Sequence, residues 1–397
     1  MFRHVAKVNV SLWGERVGTL VEVPGRIGFA FRYDRRFVSR GLEIAPLMMP
    51  LDGRIYHFPD LPAQDYGGLP PVFADSLPDS FGSALIDRWL STHGLERDEI
   101  TPLDRLVYLG RRAMGALCYE PERGPGCAET TLDLRRLVEA ARDVTNGKLL
   151  VLPEDEALLA ILRLGSSAGG AQAKAVVGWN RAAGRFVYGD RDVPEGFEHW
   201  IVKFTPREYP WRGEREYELY RKACAAGVEM SPCELHELDG LKHFMTRRFD
   251  RTADGRRLHM LTLSALAHFP NATPPEFRSY DQLFAAADAL GVTYGEKEQL
   301  FVRMAFNVLC GECDDHAKNF SFLMSEDGRW RIAPAYDLTG SDFPEEDPWA
   351  AHGRVHQLAV NGKHAGITDE DLLSVADRFA IGTAGKVLSR VKDALEA

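Results

Sequence analysis

Apolar and polar residues alternate with period two through VAKVNVSLWGERVGTLVEV (5–23), which predicts two strands joined by a hairpin turn at Trp13-Gly14-Glu15. GRIGFAFRYDRRF (25–37) continues the strand pattern. The Pro- and Gly-rich stretch 61–82 reads as loop plus a short helix. Ser80 then offers a cap for the helix FGSALIDRWLSTHG, with Ala84, Leu85, Trp89 and Leu90 on one face. Residues 106–120 hold another short helix and a turn, and 121–131 read as a linker.

Helical periodicity resumes in LDLRRLVEAARDV and DEALLAILRLG. A hairpin is predicted at RAAGRFVYGD, a strand at HWIVKFTP, a helix over EREYELYRKACAAGV that stops at Gly227, and a strand at LKHFMTRRFDR. From about residue 255 the pattern turns mostly helical. Leu300, Met304 and Val308 form one stripe of EKEQLFVRMAFNVLCG, flanked by Phe301, Ala305 and Leu309, so that helix is expected to be buried. Thr368 and Asp371 have capping-box spacing. The order is a β-rich start, a mixed middle and a helical end. That order predicts an α+β chain of two lobes with polar motifs near the joint.

With 397 residues, 45% apolar and 27% charged, the chain has the composition of a globular protein of one large or two to three smaller units. No apolar run approaches the ~18 residues that span a bilayer, and no signal-peptide core is evident, so a cytoplasmic location without membrane attachment is expected. A net charge of −10 argues against a whole surface built for nucleic acid. The six cysteines read as free thiols, buried or partly so. Cys310 and Cys313 form a CxxC with His316 nearby, but the four ligands of a structural zinc site are missing.

The chemistry concentrates in five places. GSSAGGAQAKA (165–175) has the small residues that let backbone amides approach a phosphate, without Walker spacing. Lys203 sits in an apolar strand, where burial calls for an anion. Glu216 follows thirteen residues later on a predicted helix, in reach of the role that an αC glutamate plays toward a strand lysine in protein kinases. In GECDDHAKNF (311–320), Asp314 precedes Asn319 by five positions, the interval between base and metal-binding Asn in a kinase catalytic loop. Asp337, in the apolar run IAPAYDL, supplies a further carboxylate and is expected on a short strand. Each acid alone is what a solvated turn also carries. Their order together is that of a magnesium-dependent phosphotransferase.

These motifs are those of a known family. SSAGGAQAKA, WIVKF, the EY at 216–217, RRFDR, DDHAKNFSF (314–322) and APAYDL (333–338) closely resemble the HipA family of serine/threonine-protein kinase toxins. LPPVFADSLPDSFG and LDRLVYLGRRAMGAL extend the resemblance over nearly the whole chain. It implies a two-lobed, protein-kinase-like (HipA-like) fold: a β-rich subdomain over 1–105, an N lobe with Gly-rich loop and hinge over 106–250, and a helical C lobe over 251–397. It implies ATP and Mg²⁺ as cofactors, with Asp314 as catalytic base and Asn319 and Asp337 as Mg²⁺ ligands. Nucleotide contacts would come from Ser167, Gly169, Gly170, Ala171, Lys203, Glu216, His316 and Lys318. Arg247 to Phe249 would form the adenine hinge through backbone groups, and Asp250 would reach the ribose. Ser167, or its neighbour Ser166, would be autophosphorylated and silence the kinase. The implied partners are a protein substrate of the aminoacyl-tRNA synthetase class and a helix-turn-helix antitoxin through which DNA is mainly contacted. The chain departs from the family at Glu312 and Cys313 before the DDH, and at Ala173 where a proline is common. A small-molecule phosphotransferase on the same lobes and a non-catalytic corepressor are the alternative readings, the latter opposed by retention of Lys203, Asp314, Asn319 and Asp337.

Overall fold

The computed structural model describes residues 2–25, 28–78, 80–125, 132–145, 160–161, 164, 172–270, 273–274, 277–340 and 355–396. The alternating start forms β1 (Lys7–Leu12) and β2 (Glu15–Glu22). Trp13 (φ 50°) and Gly14 (φ 82°) connect them in the left-handed region, as a two-residue hairpin requires. β3 (Phe29–Tyr33) stops short of the expected run to Phe37, because Asp34 accepts a hydrogen bond from the Arg36 N–H and starts a helical turn, Arg35–Val38.

Helix α1 spans Ser80–Thr92, so Ser80 lies inside it rather than capping it. Ile86, not Ala84, joins Leu85, Trp89 and Leu90 in the core. α2 (Pro102–Leu109) is capped by Thr101, with Asp104 closing the box. β4 (Leu117–Glu120) then returns to β1 and completes a sheet of order β3-β2-β1-β4. The division expected at 105/106 therefore falls inside α2, and the first unit includes a strand that lies beyond it.

α3 (Leu134–Thr145) leads toward a five-stranded antiparallel sheet. Its strands are β5 (Lys174–Asn180), β6 (Arg185–Tyr188), β7 (Glu198–Lys203), β8 (Cys233–Leu238) and β9 (Leu241–Arg247), in the order β6-β5-β7-β9-β8. α4 (Arg212–Ala225) packs on β8 and β9, and Gly227 ends it with φ 86°. A Cβ on Gly213 would lie 2.1 Å from the Lys242 carbonyl oxygen, so only glycine lets the start of α4 sit this close to β9.

The last third is mostly helical, with α5 (Tyr280–Ala289), α6 (Tyr294–Cys310), α7 (Asp369–Arg378) and α8 (Ala384–Glu396). It also carries a small sheet, β10 (His259–Thr262), β11 (Ser321–Met324) and β12 (Trp330–Ile332). These strands are too short for their alternation to register, and all four positions of β11 are buried. α6 is capped by Thr293 with Glu296 and ends at Gly311 in the left-handed region. Burying Phe301, Met304 and Phe306 on it contributes about 2 kcal/mol each.

A polar joint ties the first sheet to the lobes. The Gly115 N–H donates to Asp250 (2.7 Å), Arg257 donates to the Gly115 carbonyl (2.8 Å), and the Trp13 indole donates to the Arg257 carbonyl (2.7 Å). No helix among the described residues is long and apolar enough to cross a membrane.

Candidate active site

Lys203 ends β7, directly across from Lys174 on β5 and Phe244 on β9. It is buried, and its ammonium donates to both Glu216 on α4 and Asp337. Burial works against the Lys203 charge, but Asp337 and Glu216 outweigh it and hold the ammonium above its ordinary pKa. Burial pushes the Glu216 carboxyl up. Lys203 pulls it back, and the Asp337 charge adds to the rise. For Asp337, burial is overcome by Lys203 and Lys174, which keep it well below the usual carboxylate range. One cation between two carboxylates is the arrangement that lets Lys203 and Glu216 lose their water while Asp337 stays partly exposed.

Asp337 is not on a strand, contrary to the sequence expectation. β12 ends at Ile332, and the chain runs on through Ala335, whose N–H donates to the Glu229 carbonyl (2.8 Å). Asp337 itself adopts φ 57°. A short polar side chain tolerates that conformation better than its apolar neighbours would, and such residues cluster at functional sites.

The segment after α6 faces this triad. Asp314 is exposed, with His316 Nε2 at 3.7 Å from its carboxylate, so its oxygens can accept a proton from an incoming hydroxyl. The Asn319 side chain donates to the Asp314 carbonyl (2.8 Å), leaving its amide oxygen as the atom free to meet a cation. His316 lies close enough to Asp337 to favour the charged form of that carboxylate. The Lys318 carbonyl accepts from the Tyr336 hydroxyl (2.6 Å), tying the two segments together. Among the described residues no group of three or more His, Cys, Asp or Glu is gathered for a metal ion. The amide oxygen of Asn319 and the carboxylate of Asp337 nevertheless fit Mg²⁺, which takes hard oxygen donors and uses only one or two protein ligands when phosphates supply the rest.

Other expected contacts fall elsewhere. Ser166, Ser167, Gly169, Gly170 and Ala171 lie outside the described residues. Arg247 is exposed and pairs with Glu198 (2.9 Å), while the Phe249 ring packs on Tyr336 with centroids 5.4 Å apart. Asp250 does not face open space: it is fully buried, bonded by Arg248 at two points, by Arg251 and by the Gly115 N–H. Burial is overcome there by Arg248 and Arg251, which hold its carboxyl far below the usual range. These bonds place it in the joint between units.

Several site residues were not legible beforehand. Lys174 is buried beside Lys203 and draws Glu216 and Asp337 down in pKa. Arg303, buried on α6, donates to the Asn319 and Tyr336 carbonyls. Each is a lone charge in an apolar run, the same signal that marked Lys203. Asp315 is buried and accepts from the Tyr280 hydroxyl (2.8 Å), His356 (3.0 Å) and the Gln357 N–H (2.7 Å). Nothing local in the sequence indicates that long-range network.

Comparison with known proteins bears on this geometry. The model of the HipA-like C-terminal domain matches residues 166–397, and that of the HipA N-terminal domain matches 8–120. A putative kinase of Sinorhizobium fredii, Y4mE, is 29% identical over 159 residues, covering 37% of each chain. A putative kinase of Haemophilus influenzae is 26% identical over 162 residues, covering 37% of this chain and 47% of its own. The matches thus span about a third to a half of these relatives. A solved structure of HipA from Shewanella oneidensis, in complex with HipB and operator DNA, superposes with a TM-score of 0.67 over 97% of this chain and 88% of the other, at 18% identity. That likeness establishes the kinase-like two-lobed fold.

Proposed function

Because the chain belongs to the HipA family, we propose that it is an ATP- and Mg²⁺-dependent serine/threonine protein kinase acting as the toxin of a toxin–antitoxin module. The observation that carries the reading is the Lys203–Glu216–Asp337 ion triad set against the Asp314–Asn319 segment. Lys203 would orient nucleotide phosphates, with Glu216 holding it in place, and Asp314 would take the proton of the substrate hydroxyl. Asn319 and Asp337 would hold Mg²⁺, which neutralises charge on the transferring phosphoryl group. Since Lys203 now bonds Asp337, nucleotide binding would require that contact to loosen.

The Shewanella protein's complex with HipB and DNA supports a cognate antitoxin as partner here, with DNA reached mainly through it. The protein substrate would be a translation component of the aminoacyl-tRNA synthetase class, and Ser167 or Ser166 the autophosphorylated residue. A phosphate there would carry about −2 charge beside the nucleotide phosphates and so would silence the kinase. The test is intact mass of phosphatase-treated protein incubated with Mg·ATP. A gain of one phosphate in the wild type and none in Asp314→Ala, mapped to Ser166 or Ser167, is the expected result. Equal phosphorylation of both proteins would remove Asp314 from the mechanism.

A further inference from the structure

Glu312 places a carboxyl group where almost no water reaches it: it is 2% exposed, just after the Gly311 cap of α6. Its oxygens are taken by three backbone N–H groups. One oxygen accepts from Asp314 (3.0 Å) and the other from Thr339 (2.6 Å) and Gly340 (2.6 Å). The first donor belongs to the proposed catalytic residue itself. The other two lie in the turn immediately after Asp337. Both oxygens are therefore engaged by backbone amides; burial pushes the Glu312 carboxyl up to about 7, and the N–H groups of Gly340, Asp314 and Thr339 oppose that rise.

We propose that Glu312 is a positioning residue that locks the Asp314 segment to the turn following Asp337, so that base and cation ligand move as one unit. This rests on the phosphoryl-transfer reading above. Arg303 and Tyr336 already brace the opposite end of the same pair of segments, through the carbonyls of Asn319, Tyr336 and Lys318. Without Glu312 the segments stay attached there and pivot at the Asp314 end. The consequence is a loss of alignment, not of fold. In Glu312→Gln one oxygen remains an acceptor while the amide group turns N–H against N–H at the other side. Glu312→Ala removes both sides of the lock.

The experiment compares phosphatase-treated wild type, Glu312→Gln, Glu312→Ala and Asp314→Ala. It measures the autophosphorylation rate against ATP concentration, together with hydrogen–deuterium exchange of peptides covering 312–320 and 333–340. The maximal rate is expected to fall roughly tenfold or more in Glu312→Gln and further in Glu312→Ala, with half-saturating ATP changed by less than about threefold. Exchange should rise in both peptides at once, although they are distant in sequence. An unchanged maximal rate in Glu312→Ala, or faster exchange confined to 312–320, would overturn the proposal. If the wild type itself transfers no phosphate, the kinase reading fails, and the exchange data alone then decide whether Glu312 joins the two segments.

Discussion

Replacing Lys203 by Met tests the electrostatic account of the site most directly. The substitution keeps the apolar stem of the side chain and removes the charge that separates Glu216 from Asp337. Breaking a buried ion pair by deleting one partner costs about 3–5 kcal/mol. Asp337 keeps 32% of its side chain exposed, so water relieves part of the penalty, and a loss of roughly 2–4 kcal/mol is expected. With a urea dependence of about 3 kcal/mol/M, the midpoint should drop by roughly 1 M. The pH dependence gives the sign. Burial already raises the Glu216 pKa above its ordinary 4.5, and without Lys203 it rises further. An acid with a raised folded-state pKa lends stability at low pH and loses it as pH climbs through that value. The deficit of Lys203→Met should therefore be smaller near about pH 5.5 than near about pH 8, and adding Glu216→Gln should recover about 1–2 kcal/mol. A deficit independent of pH, with no recovery in the double variant, would refute the reasoning.

Three further outcomes follow from the same geometry. Asp314→Ala should lower phosphoryl transfer by at least ~10²-fold while leaving the thermal midpoint nearly unchanged, because the side chain is exposed; calorimetry beside a mass-based transfer assay checks both halves. Asp250→Asn should destabilise by about 3–5 kcal/mol, since Arg248 and Arg251 lose their counter-charge, yet leave nucleotide affinity of the folded protein intact; weakened binding by calorimetric titration would return Asp250 to the nucleotide site. Burial lowers the His356 pKa, but Asp315 and Cys313 overcome it and raise the group to about 10. The stability it lends is complete below about pH 6.5 and lost as pH rises toward about 10, at up to ~1.4 kcal/mol per unit. His356→Gln should flatten that slope in urea titrations, and an unaltered slope would place the pH sensitivity elsewhere.

The sequence by itself determined the elements whose signals are local. Period-two alternation gave β1 and β2, the capping pairs Thr368–Asp371 and Gly227 fixed helix ends, and the apolar stripe of α6 announced a buried helix. It also singled out Lys203, Glu216, Asp314, Asn319 and Asp337, because charges in apolar runs and a fixed interval between Asp and Asn are visible along one dimension. Tertiary structure alone decided which charges meet. Lys203 reaches Asp337 across 134 residues, and Glu312 spans 27 and 28 positions to the amides of Thr339 and Gly340. It likewise set Asp250 in a buried joint, added β4 to the first sheet, and revealed three strands too short to show a period. Local sequence carries propensity and periodicity. The energy of a buried charge depends on partners that only the folded chain brings within reach.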